Sequence, residues 1–433
     1  MHYSAGQSQL REDSAGYAMT IIRFTLFSWV LAAHTLCALE ITWNFEGGRL
    51  VSAERVKGNH YRVTVDGEKD HEGRNRQATW YYFRVDGAPK SGVTLDVVGL
   101  PGEYNYQPNK GAITGEIPPY ISYDQKTWEV VDESRYDAVE PRLRLEITPA
   151  AKTFWIAHVP PYTNSQFEAL RATVRGRASF SEEVIGKSVG GRELYLWSIG
   201  EASPAKRTAW LMCRQHSWEA PTSQVCEAAV LALTADDAAG QALRQNTHWK
   251  ILPFNDPDGV ARGGVRFNAN GYDLNRNWDV SDPKLMPEIA AQRGAIARWL
   301  ASGHTIDLFL TLHNTETSEY LSGPPAQAKP DDFAALGDRL FSLLQQKTAF
   351  DPSRPFFLEA ETTTAGKPGR MNVVQGLSRD FHLPAFLMEQ RVARVEKLRR
   401  RPTVRDRNEF GAQLVQVIAE ALQLHAQGRA LSR

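Results

Sequence analysis

Residues Ala209–Glu219 read AWLMCRQHSWE. An apolar run stops abruptly at Arg214, Gln215, His216 and Glu219. A short apolar run that ends in polar residues suits a strand buried on both faces of a sheet. Three later stretches repeat this design: Trp249–Gly259 (WKILPFNDPDG), Ile306–His313 (IDLFLTLH) and Pro384–Gln390 (PAFLMEQ). Helical patterns alternate with them at Ser165–Val174, Pro221–Leu233, Leu285–Ala301, Asp331–Phe350 and Glu409–Ala426. Such alternation predicts an α/β domain with a mixed, mostly parallel central sheet flanked by helices. Ligands of open α/β sheets bind beyond the carboxyl ends of the strands. His216, Asn255-Asp256, His313 and Glu389 are therefore expected at one rim.

Upstream the period changes. Leu39–Phe45, Tyr61–Asp66, Ala78–Val85, Val93–Val98, Leu143–Ile147 and Phe154–His158 are rich in β-branched and aromatic residues, with Gly, Pro, Asn and Asp between them. This predicts an all-β sandwich. The organisation expected is a leader over 1–38, a β-sandwich domain over 39–163 and a catalytic domain over 164–430. The leader contains Ile21–Ala38, IIRFTLFSWVLAAHTLCA, preceded by Met19. It reads as a secretory signal peptide, or as a buried N-terminal helix or strand. Cleavage implies a periplasmic or secreted protein with no stable membrane span; the alternative is a cytoplasmic one.

The 433 residues carry 50 Lys plus Arg against 50 Asp plus Glu, so no broad nucleic-acid footprint is expected. Three cysteines exclude a disulfide scaffold, leaving Cys213 and Cys226 to pair or to stay buried thiols. The densest charge run, Arg391–Arg407, reads as a solvated helix or loop face.

Imidazole and carboxylate are both good zinc ligands, and a catalytic zinc takes three protein ligands and keeps one open position. His216 and Glu219, at i and i+3, need a third, and His313 is the best candidate. A second constellation, Arg266–Trp278 (RFNANGYDLNRNW), suits anion binding. Arg276 offers a bidentate fork and Asn275 an amide donor. Asp273 can accept from the distal nitrogen of a metal-bound histidine.

Together, RQHSWE, the stretch from Asn255 to Trp278, the later histidine, GKPGR at 366–370 and the late Glu389 resemble the zinc carboxypeptidases, carboxypeptidase A-like enzymes. The resemblance is closest to their cytosolic carboxypeptidase-like branch, which also carries a β-sandwich ahead of the catalytic domain. It implies the zinc carboxypeptidase fold and one Zn2+ held by His216, Glu219 and His313. It implies that Asn275 and Arg276 grip the C-terminal carboxylate of a peptide or protein substrate. Arg266 then polarises the scissile carbonyl, Glu389 is the general base and Asp273 orients His216. Arg370, with Lys367 second, is the candidate for recognising a C-terminal glutamate. The chain departs from the pattern at Ser217-Trp218, where the branch has Pro-Gly, and at Asn314, where digestive members have serine. It also lacks any tyrosine after Tyr320.

Two other hydrolases fit in part: an aspartoacylase-like zinc deacylase and a carboxypeptidase of cell-wall peptides. A third reading, of another class, is an inactive binding or adhesion protein whose β-sandwich aromatics (Trp80, Tyr81, Tyr82, Phe83, Tyr104, Tyr106) stack on sugars. Oligomeric state is not encoded in any of these motifs.

Overall fold

Apolar residues alternate with polar ones along the N-terminal strands: in Arg142–Ile147, Leu143, Leu145 and Ile147 are buried and the residues between them are not. This period of two folds the segment into two five-stranded sheets. One runs Glu40–Thr42, Tyr82–Asp86, Phe154–Ala157, Tyr120–Ser122, Glu129–Val130, all antiparallel. The other runs Ser134–Asp137, Arg142–Ile147, Val93–Val98, His60–Thr64, Ser52–Lys57, with one parallel pair between His60–Thr64 and Val93–Val98. Val63, Leu95, Val97, Leu143 and Leu145 share one buried core with Phe83, Val85, Phe154 and Ile156. A small third sheet joins Glu68–Lys69, Arg76–Gln77, Gly102–Tyr104 and Gln107–Asn109.

The computed structural model describes residues 39–131, 133–325, 330–360 and 369–431. The expected leader and Lys367 lie outside the described residues. None of the described helices is long and apolar enough to cross a membrane.

The aromatics proposed for sugar stacking divide. Trp80, Tyr81, Tyr82 and Phe83 are buried, whereas Tyr104 and Tyr106 are exposed. The strand expected over Ala78–Val85 begins only at Tyr82; Trp80 instead donates its indole N–H to the Gly47 carbonyl.

The second half builds an eight-stranded mixed sheet. Its spatial order is Phe180–Lys187, Glu193–Ile199, Thr247–Leu252, Arg207–Met212, Leu308–Thr315, Ala385–Arg391, Tyr320–Gly323, Phe357–Leu358. The four strands from Thr247–Leu252 to Ala385–Arg391 are mutually parallel, and antiparallel pairs close both sides. Leu308, Phe309, Leu310 and Leu312 are fully buried, each contributing ~1.5–3 kcal/mol over exposure. Cys213 and Cys226 are both free and buried.

The closing helix, Val404–Leu431, starts earlier than the periodicity suggests. Its start lies inside the charge run: Thr403 Oγ1 accepts from Asp406 N, and Asp406 accepts in return from Thr403 N. The solvated reading of Arg391–Arg407 fails at two of its arginines. Arg401 and Arg407 are buried, donating to the carbonyls of Val392 and Arg391. Backbone carbonyls take up their N–H groups, so no sequence periodicity marks them. Gly411 lets the closing helix approach Ala220–Thr234, because a Cβ there would stand 2.1 Å from the Val225 carbonyl oxygen.

Asn255 does not face the rim. Its amide donates to the carbonyls of Cys213 and Leu252 and accepts from Gln292, pinning two neighbouring strand ends. Asp256 caps the next helix, Pro257–Arg262, by accepting from Gly259 N. Burial, opposed by Arg262, raises the Asp256 carboxyl from 3.8 to about 7. A carboxyl raised on folding binds more protons folded than unfolded, so stability falls as pH rises from about 4 to 7. Asp256→Asn keeps the cap and removes the charge. Relative to the parent it should gain up to about 4 kcal/mol in going from pH 4 to 8. Thermal melts across that range test this, and parallel pH profiles for the two proteins would sink it.

Candidate metal centre and active site

The turn after the Arg207–Met212 strand is built around Arg214. Its backbone is left-handed (φ 58°), and its guanidinium folds back onto the Ser217 carbonyl and Ser223 Oγ. Thr222 Oγ1 ties the turn to the following helix, accepting from Arg214 N and donating to the Glu219 carbonyl. His216 and Glu219 thereby project together at the helix start.

His313 comes from the neighbouring parallel strand. The ligand atoms of His216, Glu219 and His313 all lie within 4.8 Å of one another, and all three residues are buried. His216 Nδ1 lies 2.7 Å from Glu219 Oε1. His313 Nδ1 lies 3.1 Å from Glu219 Oε2, yet both atoms lack a hydrogen bond. Two buried polar atoms that face each other without bonding mark a place where a cation fits. Their chemistry, two imidazoles and a carboxylate, is that of a catalytic zinc site.

The distal nitrogens are both occupied. His216 Nε2 is 2.9 Å from Asp273 Oδ1, and His313 Nε2 is 3.0 Å from Gln215 Oε1 and 3.2 Å from Thr311 Oγ1. This leaves Nδ1 of each ring for the metal and fixes the tautomer. Asp273 is legible in the sequence as a partner of His216, whereas Gln215 and Thr311 are not. The signal available was adjacency: each precedes a ligand by one or two positions.

The electrostatics favour a bound cation. Burial works against ionisation of Glu219, but His216 and His313 outweigh it and hold the carboxyl at about 2. Burial likewise opposes ionisation of Asp273, and Arg266 and His216 hold it well below the ordinary range. Arg266 Nε donates to Asp273 Oδ2 at 2.6 Å, so one carboxylate aligns both a proposed ligand and the arginine.

Glu389 pairs in register with His313 across the parallel strands and with Tyr320 on its other side. Burial, then the Glu219 charge, raises its carboxyl well above the ordinary range, and its Oε2 is buried without a partner.

Two adjoining cavities meet at Arg266. One, of about 290 Å³, is lined by Trp218, Glu219, Glu316 and Glu389. The other, of about 300 Å³, is lined by Asp273, Arg276 and Arg370. Asn275 is buried beside them, its Oδ1 accepting from Val373 N. The N-terminal domain forms part of both walls: Gln77 and Tyr104 line each cavity, with Arg76 in the first and Arg74 in the second. None of these, nor Glu316, is marked as a site residue by any local sequence pattern. Trp218 packs against His158 at 6.0 Å between ring centroids.

Two family comparisons match this arrangement. The description "Zinc carboxypeptidase" covers residues 168–336, and "Cytosolic carboxypeptidase N-terminal domain" covers 41–159. Glu389 and Arg370 lie beyond the first match. An uncharacterized protein of Zymomonas mobilis is 28% identical over 315 residues, spanning 72% of this chain and 76% of its own. Cytosolic carboxypeptidase 2 of Danio rerio is 25% identical over 335 residues, spanning 71% of this chain but only 45% of its own. The chain thus covers less than half of that relative. A metallo-carboxypeptidase crystal structure from Burkholderia cenocepacia superposes with a TM-score of 0.74 at 21% identity, over 89% of this chain and 99% of its own.

Proposed function

We propose that this chain is a zinc carboxypeptidase, with a cytosolic carboxypeptidase-type N-terminal domain ahead of the catalytic one, and that it hydrolyses the C-terminal peptide bond of peptides or proteins. The observation that carries this reading is the buried His216–Glu219–His313 cluster, whose unbonded Glu219 Oε2 and His313 Nδ1 face each other beside Glu389 and Arg266.

In this reading the cluster holds one Zn2+ per chain, which supplies Lewis acidity to the scissile carbonyl and to water. Arg276 in the second cavity, with Asn275 buried beside it, holds the substrate carboxylate, so that only the last peptide bond reaches Glu389. Glu389 takes the proton of the attacking water and later passes it to the leaving amine. Arg266 offers N–H donors to the carbonyl oxygen as negative charge develops there, an effect worth ~2.7–4 kcal/mol per donor in other enzymes. Asp273 holds His216 and Arg266 in one geometry.

The second cavity favours an acidic terminal residue. Arg74, Arg266, Arg276 and Arg370 line it. Its two carboxylates are already engaged: Asp70 accepts from Arg74 N and Asn75, and Asp273 from His216 and Arg266. We assign Arg370 the recognition of a C-terminal glutamate side chain. Matched peptides ending in glutamate, lysine or phenylalanine test the assignment. Glutamate should leave fastest, and Arg370→Ala should cut that preference ~10-fold or more, as loss of a charge-assisted contact does. Faster release of phenylalanine by the parent enzyme would overturn it. Digesting a C-terminal peptide library with zinc-loaded protein, read by mass spectrometry, tests the broader reading. Cleavage of N-acyl amino acids with none at peptide termini would favour the deacylase.

A further inference from the structure

The segment that carries Arg266 is held from outside its own domain. Val265, Arg266 and Phe267 present three consecutive backbone N–H groups, and all three donate to one oxygen, Glu68 Oε2, at 2.9, 2.5 and 2.9 Å. The other oxygen, Oε1, accepts from Arg262 Nη2 at 2.8 Å. Glu68 belongs to the N-terminal domain, nearly 200 residues away, and is buried. Consecutive N–H groups converging on an anion form a nest, and their combined partial charge favours a carboxylate over a neutral acceptor.

A second grip lies at the tip of the same loop. His71 N donates to the Gly271 carbonyl at 2.9 Å, and the His71 ring stacks on Tyr272 with centroids 3.9 Å apart. Gly271 has φ 82°, and a Cβ there would stand 2.6 Å from His71 N. Between the grips, Phe267 bridges Asp273, the carboxylate that holds Arg266 Nε. On the far side, Trp218 N donates to the Val265 carbonyl at 3.0 Å, joining this segment to the His216–Glu219 turn.

We propose that Glu68 is a positioning residue for the reaction. The N-terminal domain sets the place of Arg266 relative to the metal-binding turn through the Glu68 carboxylate. The inference rests on the role given above to Arg266. Its physical basis is that an arginine displaced by ~1 Å loses about 10²-fold in rate. Glutamine at 68 cannot replace the carboxylate. It carries no charge for the nest, and its NH2 group must face either the Arg262 guanidinium or the three N–H donors.

The test is a double-mutant cycle on the full chain, loaded with zinc and assayed on one C-terminal peptide. Glu68→Gln should lower kcat on the order of 10- to 100-fold, with KM within about threefold and zinc content unchanged. In an Arg266→Ala background the same change should cost less than about threefold, because the residue it acts through is gone. A kcat within twofold of the parent, or full additivity with Arg266→Ala, would overturn the proposal. Undiminished activity of Arg266→Ala would instead overturn the role of Arg266, and the proposal with it. Should Glu68→Gln lose its cooperative melt, His71→Ala enters the same cycle. A kcat loss confined to the Arg266 background with arginine present supports the clamp, and an additive loss overturns it.

Discussion

Glu389→Gln is expected to slow peptide hydrolysis by ~10²–10⁴-fold while leaving the zinc in place, the range over which a positioned general base acts. Glutamine keeps the size of the side chain and its place beside His313 and Tyr320 in the sheet register. It loses only the ability to take a proton. The parent should also show an acid limb in kcat/KM that the variant lacks. Burial and the Glu219 charge raise the Glu389 carboxyl, so the base becomes competent only as pH rises past a value above the ordinary ~4.3 of glutamate. Turnover by the variant within threefold of the parent, or an acid limb persisting in it, would refute the assignment.

Removing the metal should have an effect of comparable size. A chelator, or His216→Ala, is expected to lower peptide hydrolysis by at least ~10³-fold, and added zinc should restore the chelated parent but not the variant. Stability should follow. Without a cation, Glu219 Oε2 and His313 Nδ1 remain buried and unbonded, a cost of ~1–3 kcal/mol per group. A ligand present at 1,000 times its Kd stabilises the folded state by ~4 kcal/mol. Zinc should therefore raise the melting temperature by several degrees in the parent and much less in His216→Ala. Metal analysis alongside thermal melts decides the matter. A chelated parent that keeps full activity and an unchanged melt would remove the metal centre from the account.

Much of this site is legible without coordinates because its parts are local. His216 follows an apolar strand and His313 and Glu389 sit toward the ends of two others, and a polar residue at such a place has no reason to be there except chemistry or a satisfied partner. Asp273, Asn275 and Arg276 share one turn-rich loop whose composition suits no core. Other strand ends mislead by the same logic. Asn255 sits where a ligand would, but pins two carbonyls instead. Its role depends on which strands lie side by side, and strand order is not written in any one segment. The Tyr320–Gly323 and Phe180–Lys187 strands escape notice for a related reason. Phe180–Lys187 is an edge strand with mostly exposed or half-buried residues, and Tyr320–Gly323, though largely buried, is only four residues long and carries no apolar run.

The order of apolar strands and helical periods, read alone, determined the α/β architecture and the preceding β-sandwich, and it set His216, His313 and Glu389 at strand ends expected to share one rim. Periodicity and side-chain type act over a few positions, and those features need no more range than that. Tertiary structure alone decided that Arg401 and Arg407 are buried, that Gln215 and Thr311 hold His313, that Arg76 and Tyr104 line the cavity beside Glu389, and that Glu68 reaches the Val265–Phe267 backbone from the N-terminal domain. A carboxylate that meets its three donors across nearly 200 residues leaves no local pattern, because only the packed chain brings the two segments within hydrogen-bonding distance.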